Sequence, residues 1–110
     1  MLLPSKESQI VEFKESTNLW KEGAKSIVAF ANTDGGTLYF GIKDNGEILK
    51  NNDFNDSSLK SLAVNFKQTI DPNVYFKVNI IDLENTKVIE IIVEKSLKPT
   101  HTYGEILYRN

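Results

Sequence analysis

Between residues 20 and 43 the apolar residues change period across one short turn, and this switch limits the possible folds more than any other feature of the chain. Trp20, Ala24, Ile27, Val28 and Ala31 recur at helical spacing, while Lys21, Glu22 and Lys25 take the opposite side. That pattern is an amphipathic helix with one buried stripe. Ser16, Thr17 and Asn18 stand just before it and offer capping oxygens. The helix runs into Asn32-Thr33-Asp34-Gly35-Gly36, where glycine supplies the left-handed conformation that ends a helix and turns the chain. Thr37 to Lys43 then reads as a strand rich in β-branched and aromatic residues.

The flanking segments follow the same logic. Ile10-Val11-Glu12-Phe13-Lys14 alternates, placing Val11 and Phe13 on one face of a short strand and Glu12 and Lys14 on the other. Asp44-Asn45-Gly46 is a turn signal that starts a hairpin with Glu47-Ile48-Leu49. After Asn55-Asp56-Ser57, Leu59, Leu62, Ala63, Phe66 and Ile70 keep helical period until Asp71-Pro72 stops it. Val74 to Asp82 and Lys87 to Glu94, joined at Glu84-Asn85-Thr86, read as an antiparallel hairpin, and a last short strand covers Glu105 to Tyr108. The order β-α-β-α-β-β-β lacks the regular alternation of a doubly wound parallel sheet. It predicts an α+β fold with two helices packed on one mixed β-sheet.

A chain of 110 residues, 40% hydrophobic, supports one core and not two, so residues 1–110 read as a single domain. No repeat, low-complexity tract or linker interrupts it. The chain ends at Tyr108-Arg109-Asn110 directly after strand-like residues, and the expectation is a fragment of a longer protein. The absence of cysteine excludes disulfides, Cys-ligated zinc and a thiol nucleophile, and one histidine excludes a multi-His metal cluster. Pro4 and Lys6 cut the apolar N-terminus too short for a signal-peptide core, and Glu90 interrupts the most apolar stretch, Val88 to Val93. The expected setting is cytoplasmic, away from membranes.

Gly35-Gly36 invites a phosphate-loop reading. Such a loop normally opens a helix, whose free N–H groups and positive dipole end face the anion, whereas these glycines close one. Their role is a structural turn. Glu12 and Lys14 share a strand face, Glu7 lies shortly before, and Asp44 sits where the next strand runs out. If the first two strands are neighbours these groups converge, and carboxylates with a nearby lysine are what a divalent-metal nuclease uses on a phosphoryl group. The odd spacing of Glu7 and Glu12 requires a bend near Ser8-Gln9. The same pattern also describes a solvated strand face with a surface pair worth about 0–1 kcal/mol.

Three phrases carry a resemblance: Glu7 with Glu12-Phe13-Lys14, then Ala29 through Leu38, then Gly41-Ile42-Lys43-Asp44-Asn45-Gly46. Together they resemble the family of AlbA-type DNA-binding domains shared with Schlafen proteins, and Pro99, Gly104 and Tyr108-Arg109 are similar to its C-terminal part. The resemblance implies a DNA-contacting module of a bacterial or archaeal transcriptional-regulator-like or RecG-like protein. Through the Schlafen branch it implies an alternative, metal-dependent cleavage of structured RNA, with Glu7, Glu12 and Asp44 holding Mg²⁺ or Mn²⁺ and Lys14 beside them. Because Schlafen cores carry two copies of this unit, the resemblance also implies a homodimer.

For binding without cleavage no cofactor is required, and the candidate surface is Lys14, Lys21, Lys25 and Lys43, with Arg109 if the last strand returns nearby. Thirteen basic against fifteen acidic residues leave a net charge of -2, so any basic face is local. Twelve of the thirteen basic residues are lysines, which suit phosphate rather than bidentate guanine readout. The lysines equally serve to solvate the polar side of the helix. Phe13, Phe30, Phe40, Phe66 and Phe76 occupy apolar-face positions and read as core. Trp20 reads as an anchor of the first helix, and His101 as a surface loop residue without metal partners.

Overall fold

The computed structural model describes residues 3–97 together with the backbone at 101–102 and 105–106. Strand β1 (Val11–Lys14) leads through a single 3₁₀ turn (Thr17–Leu19) into helix α1 (Trp20–Ala31), then strand β2 (Gly36–Phe40) and helix α2 (Asp56–Thr69). Strands β3 (Phe76–Asp82) and β4 (Lys87–Val93) follow, and two-residue strands β5 (His101–Thr102) and β6 (Glu105–Ile106) close the order. The main sheet runs β1-β2-β4-β3, with β1 parallel to β2 and the remaining pairs antiparallel. The fold is therefore the expected α+β arrangement on a mixed sheet. No described helix is long and apolar enough to cross a membrane.

Local chemistry sets the boundaries. Ser16 accepts the Asn18 N–H at 3.1 Å and caps the 3₁₀ turn. Asn55 and Ser58 form a reciprocal capping box at the start of α2. At the end of α1, Gly35 sits at φ +77° and donates its N–H to the Phe30 carbonyl at 2.7 Å. Strand β2 stops at Phe40 rather than Lys43 because Gly41 takes φ +101°, which turns the chain out of the ladder. The Gly41 and Ile42 N–H groups both turn to the Lys14 carbonyl, at 2.7 and 3.3 Å. The hairpin around Asn45-Gly46 is present as one antiparallel rung, Ile42 opposite Ile48. Glu105–Ile106 pairs with His101–Thr102, so His101 lies on a strand and not in a loop. Leu107 and Tyr108 fall outside the described residues.

Both helices cover one sheet face. Ile27, Val28 and Phe30 of α1 and Leu62 and Phe66 of α2 meet Leu38, Phe40, Ile89 and Ile91 in the main core. Gly23 permits the close approach of α1, since a Cβ there would stand 3.0 Å from the Phe40 ring and 3.1 Å from Leu38. A smaller cluster on the opposite face joins Phe13, Tyr39, Ile42 and Val88, with Leu3, Val11 and Ile48 packed against it. Phe13, Phe30, Phe40 and Phe66 are fully buried, each contributing about 1.5–3 kcal/mol of burial, and Phe76 is half-buried.

The second face holds a buried polar pair: Tyr39 Oη donates to Glu90 Oε2 at 3.1 Å. Burial foremost, and then the adjacent carboxylate, push the Tyr39 phenol up to about 12. Above its unfolded pKa of about 10 the unfolded chain loses this proton while the folded chain keeps it. The contribution is thus complete below pH ~10 and is lost as pH rises toward about 12. Urea titrations across this window are expected to show Tyr39→Phe losing less stability than the parent, by about 2 kcal/mol at the top. Parallel curves for the two proteins would contradict the assignment.

Candidate nucleic-acid interface

Strand β1 is an edge of the sheet. Its alternate residues turn their amides away from β2, and an exposed row of this kind normally invites unwanted pairing. The segment before it covers that row. The Phe13 N–H donates to Glu7 Oε2 at 2.9 Å, while Ser8 exchanges backbone hydrogen bonds with Val11 at 2.9 and 3.4 Å. This is the bend the odd Glu7–Glu12 spacing requires, and it brings the Glu7 carboxylate to the peptide following Glu12.

Glu12 lies on the helix side of β1. Its Oε2 accepts the Ser26 hydroxyl of α1 and pairs with Lys14 Nζ at 3.2 Å, with both charged side chains largely covered. The Ser26–Glu12 contact ties the edge strand to the crossover helix, and the Lys14 ammonium offsets the charge brought there. Lys25 precedes Ser26 on α1 and is exposed. Lys21 is also exposed, its ammonium 5.8 Å from the Trp20 ring centroid. Lys43 pairs with Glu47 at 3.8 Å across the hairpin turn, an exposed contact of small energetic weight.

The turn carrying Asp44 comes against the N-terminal segment: a Cβ on Gly46 would collide with the Ser5 carbonyl, two residues before Glu7. The Asp44 turn therefore lies beside the segment that carries Glu7, while Glu7 meets the peptide after Glu12 and Glu12 pairs with Lys14. Among the described residues, however, no group of three or more histidine, aspartate or glutamate side chains is placed to hold a metal. Oε2 of Glu7 serves the Phe13 amide, and Oε2 of Glu12 serves Ser26 and Lys14. As placed, the acids do not fit a divalent ion. Arg109, Pro99, Gly104 and Tyr108 fall outside the described residues.

Ser26 is the site residue that the sequence pattern does not reveal. It is buried on α1, and its importance comes from a partner fourteen positions away, which helical periodicity alone does not identify. Beyond this cluster, a polar cleft of about 540 Å³ opens between the 3₁₀ turn and the start of α2, bordered by Asn18, Trp20, Asp53, Asn55 and Ser58.

Residues 7–110 match the family model described as Schlafen, AlbA_2. An uncharacterized ATP-binding protein of Ureaplasma parvum is 30% identical over 102 residues, covering 84% of this chain and 29% of that protein. The DIP2311 protein of Corynebacterium diphtheriae superposes with a TM-score of 0.74 at 22% identity, over 98% of this chain and 22% of that one. The N-terminal domain of a Nitrosomonas europaea protein, named as related to the ATP-dependent DNA helicase RecG, gives 0.69 at 21% identity. That match covers 94% of this chain and 79% of the domain. The likeness to these two structures establishes fold alone, and the chain spans under a third of the length of the Ureaplasma and Corynebacterium proteins.

Proposed function

The chain belongs to the Schlafen, AlbA_2 family, and from that premise we propose that it is a nucleic-acid-binding module, with DNA foremost, as in a transcriptional regulator of the cytoplasm. In this reading the lysines of β1 and α1 hold phosphates without reading base sequence. The observation that supports it is the tie between Glu12 and Ser26. It joins β1, which carries Lys14, to α1, which carries Lys21 and Lys25, and in this reading Lys43 and Arg109 add further phosphate contacts. The family and the RecG-related name of one relative favour a polynucleotide ligand.

Titration of duplex DNA, single-stranded DNA and tRNA at two salt concentrations tests this reading. With four or five phosphate contacts, the logarithm of affinity falls with that of salt at a slope of roughly -4. Lys14→Ala or Lys25→Ala lowers the slope by about one each. Glu12→Gln removes the carboxylate that competes with phosphate for Lys14, and its expected effect is a gain in affinity of about threefold at low salt. Absence of binding to all three polymers at low salt defeats the proposal.

A second reading, divalent-metal endoribonuclease activity on structured RNA, draws support from the Asp44 turn lying against the segment that carries Glu7. The acids as placed do not assemble around an ion, and no catalytic step is derived through one. Mn²⁺-dependent RNA cleavage that chelator and Glu12→Gln both abolish is the result that favours it over binding alone.

A further inference from the structure

The two edges of the sheet are treated differently. On β1, Glu7 and Ser8 occupy the outward backbone groups. On β3 nothing comparable is present among the described residues: the sheet ends there, and no described backbone or side chain bonds to its outer rim. The register fixes which groups are free. Tyr75 accepts the Glu94 N–H at 3.0 Å, and Leu83 donates to Thr86 at 2.8 Å. Tyr75, Lys77, Asn79 and Ile81 therefore turn their amides to β4, while Phe76, Val78, Ile80 and Asp82 turn theirs outward.

The same rim is flanked by apolar space. On the helix side, Phe66, Ile70, Pro72 and Phe76 border a cleft of about 450 Å³ that the charged Lys67 and Asp71 also line. On the other side, Tyr75, Lys77 and Ile92 border one of about 330 Å³. Tyr75 is 65% and Ile92 41% exposed, and Phe76, Val78 and Ile80 are only half-buried.

We propose that β3 pairs antiparallel with β3 of a second copy of this chain, making one continuous sheet across a two-fold axis at Asn79. The proposal goes beyond the nucleic-acid reading and does not depend on it. About that axis the outward-facing residues match one another, Val78 opposite the partner's Ile80 and Phe76 opposite the partner's Asp82. The side chains of Phe76, Val78 and Ile80 share the helix-side face, and Asp82 follows at the same alternation. The partner's Asp82 then comes beside Lys67 at the cleft bordered by Phe76, and symmetry makes that contact twice. The pairing of Lys67 with the partner's Asp82, made twice by symmetry, is the charge match that favours a second copy over an unrelated strand. Asp82 is accessible for this role, since its contact to Lys87 at 3.5 Å leaves its side chain 75% exposed.

Sedimentation across a concentration series, combined with hydrogen exchange, tests the pairing. The expected result is a monomer–dimer equilibrium in which the amides of Phe76, Val78, Ile80 and Asp82 gain protection as concentration rises. Asp82→Lys is expected to raise the dissociation constant about tenfold, by setting like charges against Lys67 twice, and adding Lys67→Glu to it restores association. Both positions are exposed, and far-UV circular dichroism verifies that each variant is folded. A monomer at every concentration, or a dimer whose four outward amides exchange freely, overturns the proposal. So does association that Asp82→Lys leaves unchanged.

Discussion

Phe30→Ala is expected to cost about 3–5 kcal/mol, a large part of the stability of a domain this size. The ring is fully buried in the main core, so the loss combines its transfer free energy with the cavity left behind. It also stands directly over β2: a Cβ built on Gly36 falls against three atoms of the Phe30 ring at impossibly short range. The pair therefore makes a double-mutant cycle. Gly36→Ala alone overpacks the junction and costs about 1–3 kcal/mol. In the Phe30→Ala background the added methyl enters the vacated space, and most of that cost disappears. Urea unfolding of the four proteins measures the coupling, and additive losses would show that helix and strand do not meet as described.

Gly35→Ala is the second large effect, expected at about 2–4 kcal/mol. Two independent penalties combine. At φ +77° any Cβ pays for the left-handed conformation, about 1–2 kcal/mol. The same atom would stand 2.8 Å from the Val93 carbonyl and 3.2 Å from the Lys95 amide, backbone groups unable to swing aside. Gly35→Asn, tolerant of left-handed φ but equally bulky at Cβ, separates the two: it recovers the conformational part and retains the steric part. Equal stability of Gly35→Asn and the parent would remove the steric argument.

These positions show why so much of the architecture was readable. The phrase from Ala29 to Leu38 contains a helix stripe, a left-handed stop and a strand start, all encoded by neighbours in sequence, and both helices and the four main strands follow from such local signals. Strand ends were harder. β2 stops at Phe40 because Gly41 and Ile42 both turn their amides to Lys14, a contact across the sheet, whereas the apolar pattern alone continues to Ile42. The strand pairing of His101 likewise depends on Ile106 opposite it.

The candidate site divides the same way. That Glu12 and Lys14 share a face is a consequence of strand alternation and was legible in five residues. That Glu7 reaches the Phe13 amide, that Ser26 meets Glu12, and that Lys43 is held by Glu47 are matters of placement. Placement shows that Lys14 and Lys43 already have acidic partners, contacts with which phosphate would compete in the proposed reading.

By itself, the sequence determined the two helices and the four main strands, their order and the buried stripe of each helix, because period, capping and glycine conformation act over a few residues and need no partner. Tertiary structure alone decided the parallel pairing of β1 with β2, the covering of one sheet edge, the lack of a partner for the other among the described residues, and the company each charged group keeps. Those outcomes depend on distances between segments far apart in the chain, and Coulomb and hydrogen-bond energies fall off too steeply for residue identity to stand in for position.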